Sequence, residues 1–193
     1  MPPSPLLIRL KCPNLSSIPN LERFSSLRNP SVDSCNTLEV LPIAGRCSSL
    51  EMLWISECVA LSKIGDRLST ATYLEELAIN SCPNLTSIAN LEVFSHLQRL
   101  KVASCTKLEI FPLGAPLSCP KELKLLYCPN LKQIPSIGEL SSLTELEFIE
   151  IGEELSCCSQ RDLPDLVSVP EGLERLHSFY GLTALVALTA WEN

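Results

Sequence analysis

The side chains with most chemistry to offer are the thiols: ten cysteines in 193 residues. Thiols can close disulfides, ligate metals or act as nucleophiles, and their spacing discriminates among these roles. Six of them, Cys12, Cys35, Cys58, Cys82, Cys105 and Cys128, follow one another at intervals of 23, 23, 24, 23 and 23 residues. Even spacing over so long a stretch is not a metal or redox motif. It marks one corner of a repeated coil, where a thiol packs as a small buried hydrophobe with a weak polar character. Neighbouring coils bring these Cα atoms within bridging distance, but parallel inward Cβ vectors aim the sulfurs poorly for a disulfide. Cys47 and Cys119 fall between the corners and read as free thiols, and the adjacent Cys157 and Cys158 read as part of a plain loop.

Other constellations are missing. No Gly precedes a Lys as a phosphate loop requires, and neither G-x-S-x-G nor H-E-x-x-H occurs. The two histidines, His96 and His177, stand 81 residues apart, and His96 reads as a solvated edge residue. The carboxylate pairs Glu75-Glu76 and Glu153-Glu154 read as solvated faces. The expectation is a chain with no catalytic residues, no cofactor and no metal, hence not an enzyme.

The elements that position the thiols emerge when each ladder Cys is taken as position zero. Three residues on stand Leu15, Leu38, Leu61, Leu85, Leu108 and Leu131; six on stand Ile18, Leu41, Ile64, Ile88, Phe111 and Ile134. Three back are Val32, Ile55, Ile79, Val102 and Leu125, and five back Leu53, Leu77, Leu100 and Leu123, with Pro30 as the departure. Eight back, Leu27, Leu50, Leu74 and Leu97 hold and Pro120 departs. The first copy is one residue short, since Leu10 lies two before Cys12. A further copy carries Ile151 in the Cys place. The unit L-x-x-L-x-L-x-x-C-x-x-L-x-x-I, which accounts for much of the chain's 36 Leu, is that of a leucine-rich repeat.

In such a coil the L-x-L step is a short strand with alternate side chains inward, and coils stack because none can bury its Leu alone. Each fully buried Leu contributes about 1.5 to 3 kcal/mol, so the Leu core dominates stability. The predicted fold is an α/β solenoid, an arc with a parallel β-sheet on its concave face. Its return segments, broken by prolines such as Pro19, Pro42, Pro112 and Pro135, are expected to be irregular or one-turn helical. Residues 1–152 hold about seven coils of 23–24 residues, 153–164 an irregular insertion, and 165–193 degenerate or truncated terminal repeats with the frame returning at Leu185, Leu188, Ala190 and Asn193. Neither end reads as a capping repeat. The chain is therefore expected to be a fragment of a longer array or a truncated product, self-associating through apolar ends in light scattering.

The frame forces the intervening residues outward onto the concave sheet. The central outward place reads Ser31, Trp54, Ala78, Lys101, Lys124 and Glu147, flanked by Asp33, Ser56, Asn80, Ala103, Leu126 and Ile149. Arg99, Tyr127 and further charges adjoin them, so the face runs acidic, basic, then acidic. Outward charges also keep such an arc soluble, but a large ring at an outward position has no folding reason. Trp54, Lys101, Lys124, Tyr127, Arg99 and Glu147 are the expected protein contacts. A formal charge of −7 argues against a phosphate backbone or an anionic bilayer as partner. No apolar run reaches the roughly 20 residues that cross a membrane, and the start has no basic segment of a signal peptide.

The recurrent C-P-N-L at Cys12, Cys82 and Cys128, continued as Leu15-Ser16-Ser17-Ile18-Pro19 and Leu131-Lys132-Gln133-Ile134-Pro135, resembles the C-terminal leucine-rich repeats of plant nucleotide-binding (NB-LRR) disease-resistance proteins. So do Phe24-Ser25-Ser26-Leu27 and Leu140-Ser141-Ser142-Leu143. The likeness covers about residues 6–151. It implies the recognition module of a cytoplasmic or nuclear immune receptor, with a pathogen effector, a guarded host protein or the receptor's other domains as partner. No phosphate loop is present, so nucleotide binding does not carry over. The substrate-recruiting arm of a ubiquitin ligase and a stand-alone scaffold remain as alternatives; the former would need an F-box helix upstream, the latter caps at both ends.

Overall fold

The computed structural model describes residues 7–17, 27–41, 49–64, 71–88, 94–109, 120–132, 142, 144–151 and 178–180. They form one strand per coil: β1 (Leu7–Lys11), β2 (Asn29–Asp33), β4 (Met52–Ser56), β6 (Glu76–Asn80), β7 (Arg99–Ala103), β8 (Glu122–Cys128), β9 (Glu145–Ile151) and β10 (Ser178–Tyr180). These join in that order into an eight-stranded sheet, every neighbouring pair parallel. Between them on the return path lie β3 (Val40–Leu41) and β5 (Lys63–Ile64), a second, two-stranded parallel ladder.

The Leu frame is the core. Register stacks Leu53, Leu77, Leu100 and Leu123 in one column and Val32, Ile55, Ile79, Val102 and Leu125 in the next, all buried. Leu38, Leu61, Leu85, Leu108 and Leu131 close the core from the turn, and Leu50, Leu74 and Leu97 from the entry side. The two proline departures, Pro30 and Pro120, occupy the same buried places as the Leu they replace.

Strict strand alternation would turn the residue before each Cys inward and the Cys out. One residue is therefore spent in the left-handed region: Ser34, Glu57, Ser81, Ser104 and Tyr127, each immediately before a ladder Cys, have φ of 52 to 55°. This step costs a non-glycine residue about 1 to 2 kcal/mol and recurs because it buries the Cys. Cys35, Cys58, Cys82, Cys105 and Cys128 are all buried with free thiols, each Sγ 3.3 to 3.7 Å from the carbonyl oxygen two residues back. The thiol is thus the weak donor that answers a carbonyl at the strand exit.

Cys12 departs from this ladder. It is exposed, because the coil that is one residue short has no left-handed step, Lys11 pairs with Asp33 inside β1, and no described strand covers the outer side of β1. Its turn is nonetheless intact, with Leu15 N–H donating to the Cys12 carbonyl at 3.0 Å.

Among the described residues the return path contains turns and extended pieces, and no helix. Lys63 bridges on to Ser87, extending the β3–β5 ladder to a third coil. The C-P-N-L motif acquires a role here. Pro at its second place lacks an N–H, and the following Asn reaches across instead: Asn84 Nδ2 donates to the Val59 carbonyl at 2.6 Å and Asn130 Nδ2 to that of Thr106 at 2.7 Å. Thr37 and Thr106 hydroxyls bond to Pro13 and Pro83 carbonyls in the same manner.

Beyond β9 the sheet continues differently from the sequence frame. Ser178 pairs with Glu145, 33 positions ahead, where earlier partners lie 22 to 24 apart. The frame at Leu185–Asn193 and the insertion expected at 153–164 lie outside the described residues, as do Cys47, Cys119, Cys157 and Cys158.

Candidate functional site

The outward side chains of the sheet form three lanes running across the strands. In the central lane Ser31, Trp54, Ala78, Lys101, Lys124 and Glu147 are direct register partners from β2 to β9. Trp54 is 39% exposed, as is expected of a ring turned away from the core. Its indole N–H donates to Glu76 Oε1 at 2.9 Å, and Arg99 Nε donates to the other oxygen of the same carboxylate at 2.7 Å. Glu76 therefore fixes the ring's orientation while its own charge is met by Arg99. The sequence reads Glu76 as part of a solvated carboxylate pair, whereas in the structure it is engaged by Trp54 and Arg99; the 23–24-residue offset that places it opposite Met52, diagonal to Trp54, was the available signal.

The basic middle of the face is largely neutralised. Lys124 Nζ lies 2.9 Å from Glu122, 2.7 Å from Glu145 and 3.6 Å from Glu147, on its own strand and the next. Hydrogen bonds with Glu145 and then Glu122 raise its pKa well above the ordinary lysine value. Lys124 and Glu147 are thus partners of each other before they are partners of anything else. Lys101, exposed on β7 between Ala78 and Lys124, has no ion pair among the described residues.

Tyr127 sits on the exit lip, 47% exposed, in the left-handed step with φ 55°. The four equivalent places hold Ser or Glu. A bulky side chain here is a conformational cost without a core contact in return. Tyr127→Gly is expected to raise stability by about 1 kcal/mol, read as a higher unfolding midpoint in urea; a fall in the midpoint would show that the ring supports the fold.

At the other end of the face lies a buried carboxylate that the sequence reading placed only among the outward flank. Asp33 is 3% exposed. It accepts from Arg9 Nε at 3.0 Å and Ser56 Oγ at 2.8 Å; Lys11 Nζ stands 3.8 Å away and the Ser34 hydroxyl 3.2 Å. The Ser56 and Arg9 hydrogen bonds, with the Arg9 charge, hold its pKa below the usual carboxylate value despite burial. A depressed native pKa stabilises the fold above the ordinary value of 3.8 and ceases to do so as pH falls through the lowered one. Asp33→Asn is accordingly expected to be destabilised near neutrality and to converge on the parent chain as acidification carries the pH below the lowered pKa, followed by thermal unfolding. A constant difference across that range would refute the assignment.

The thiol ladder forms no metal cluster among the described residues. Burial pushes the Cys35 thiol up, and Cys58 and Cys105 are held protonated by hydrogen bonds with the Cys82 and Cys128 thiols and by burial. His96 is exposed on the entry lip, its ring centroid 5.2 Å from that of Tyr73 and its Nδ1 3.0 Å from the Thr72 carbonyl oxygen. Among the described residues no helix is long and apolar enough to cross a membrane.

No family model matches the chain. Over 139 residues it is 36% identical to the protein SUPPRESSOR OF npr1-1, CONSTITUTIVE 1 of Arabidopsis thaliana, covering 68% of this chain and 9% of that protein. It is 34% identical to disease resistance protein RPP5 of Arabidopsis thaliana, covering 75% of this chain and 13% of that protein. Among solved structures, the leucine-rich repeat domain of the type III effector XCV3220 (XopL) aligns with a TM-score of 0.38 and 19% identity, over 91% of this chain and 74% of that one. The chain spans about a tenth of the length of the curated relatives it matches. With a parallel sheet of one strand per coil underlying that similarity, the chain is a leucine-rich-repeat array whose relatives are plant NB-LRR disease-resistance proteins.

Proposed function

We propose that the concave face is a protein-recognition surface of an intracellular plant immune receptor, meeting a pathogen effector, a guarded host protein or another domain of the receptor. The observation that carries this reading is Trp54, an exposed indole held in one orientation by Glu76 on a sheet whose opposite face is a continuous core. A rigid platform with a pre-oriented aromatic gives contact area at little entropic cost, which is how aromatic anchors act in interfaces. Tyr127, placed on the exit lip against its backbone preference, supports the same reading. The resistance-protein relatives support a binding module in preference to an enzyme, and an intracellular setting.

Lys101 supplies charge to this surface. Arg99, Lys124 and Glu147 enter it as parts of ion pairs that a partner would have to reorganise. Replacing Trp54, Lys101, Lys124 and Tyr127 together by Ala is expected to abolish capture of a verified protein partner in a pull-down, with far-ultraviolet circular dichroism unchanged. Undiminished capture would refute the concave assignment.

A further inference from the structure

Trp54, Ala78 and Lys101 are direct partners on three consecutive strands, β4, β6 and β7. At a strand spacing of about 4.8 Å, the indole and the Lys101 stem rise about 9.6 Å apart over a single methyl group. The gap is a notch with an apolar floor, one aromatic wall and one cationic wall. Glu76, the carboxylate nearest the indole, is engaged by Trp54 and Arg99. The carboxylates of the next coils, Glu122, Glu145 and Glu147, are gathered on Lys124. Lys101 is left with its charge unmatched among the described residues, two strands from a partly exposed indole.

Resting on the recognition reading above, we infer that this notch takes an extended peptide segment of the partner that carries an acidic residue three positions from an aliphatic or aromatic one. Charge complementarity puts the carboxylate on the Lys101 ammonium and the apolar side chain against the Trp54 ring two strands away, with the peptide backbone passing over Ala78. The three-residue interval follows from geometry. A polyproline II segment crossing the strands repeats its side-chain direction every third residue with a rise of 3.1 Å, or about 9.3 Å per turn, close to two strand spacings. A β-conformed peptide repeats every second residue at about 6.8 Å and would bring only one of the two side chains into place.

The test uses the whole chain and synthetic proline-rich peptides in a fluorescence-anisotropy titration. One carries Asp and Leu three apart, a second Lys in place of Asp, and a third Asp and Leu adjacent. The first is expected to bind roughly fivefold to tenfold more tightly than either of the others, the size of one exposed charge pair or one lost apolar contact. Lys101→Glu is expected to reverse the preference between the Asp and Lys peptides, and Ala78→Arg, which fills the floor from an outward position, to remove binding of both. Equal affinity for the three peptides, absence of binding, or an unreversed preference in Lys101→Glu overturns the inference. A verified partner that is lost on Trp54→Ala but indifferent to Lys101→Glu would overturn it while leaving the concave reading intact; indifference to both would overturn the two together.

Discussion

Leu77→Ala is expected to cost about 2 to 5 kcal/mol, since it leaves a cavity where the structure has no room to collapse. Leu77 is fully buried, and its register partners Leu53 and Leu100 are equally enclosed above and below it. In a solenoid the loss does not stay local. Each coil contributes stability chiefly through its two interfaces, so weakening the fourth coil loosens the contacts of β6 with both β4 and β7. Hydrogen exchange should therefore quicken together in β4, β6 and β7, and the denaturation transition should broaden or split as cooperativity between the two halves falls. Glu75→Ala, on the exposed entry lip two residues away, is expected to stay within about 0.5 kcal/mol. Comparable effects of the two substitutions would mean that the Leu columns are not the source of stability.

The second large effect concerns the thiols. In the folded chain at mild alkaline pH, Cys12 is expected to alkylate with iodoacetamide at the rate of an open thiol, and Cys35, Cys58, Cys82, Cys105 and Cys128 at least about 100-fold more slowly. Two causes act together. Reagent must wait for local opening of a coil, and burial disfavours the thiolate that reacts, with Cys58 and Cys105 raised further by hydrogen bonds with their Cys82 and Cys128 neighbours. Denaturant should equalise the rates, and peptide mass mapping separates the sites. Rapid labelling of the buried five without denaturant would show that the ladder is not packed, and a mass deficit from bridged pairs would restore the disulfide reading.

What was legible in the sequence is what side-chain burial dictates. The Leu, Ile and Cys positions repeat because every coil must bury the same corners, and the outward position of Trp54 follows from them by elimination. The left-handed residue before each Cys was not legible, because Ser, Glu and Tyr replace the Gly that normally announces such a conformation. The missing residue ahead of Cys12 was visible, but not its result, a solvent-exposed thiol. The ion pairs of Lys124 were not legible because outward charges were read one strand at a time, whereas its three carboxylates come from two adjacent strands. The strand at Ser178–Tyr180 carries none of the Leu spacing, so its pairing with β9 rests on contacts that a linear pattern does not encode.

The ladder on the return path has a geometric corollary. Backbone bonds between successive coils hold both flanks of the solenoid, through Val40–Lys63 and Lys63–Ser87 on one side and the main sheet on the other. Helical returns would need about 8 to 10 Å between axes and would bend the stack sharply, whereas a return pitch of about 4.8 Å over these three coils matches that of the main sheet and keeps the bend there shallow. Gain or loss of one whole coil by unequal exchange between gene copies would then slide the downstream lanes by a single increment without swinging them, so that lineages could re-space their contacts while preserving the surface's shape.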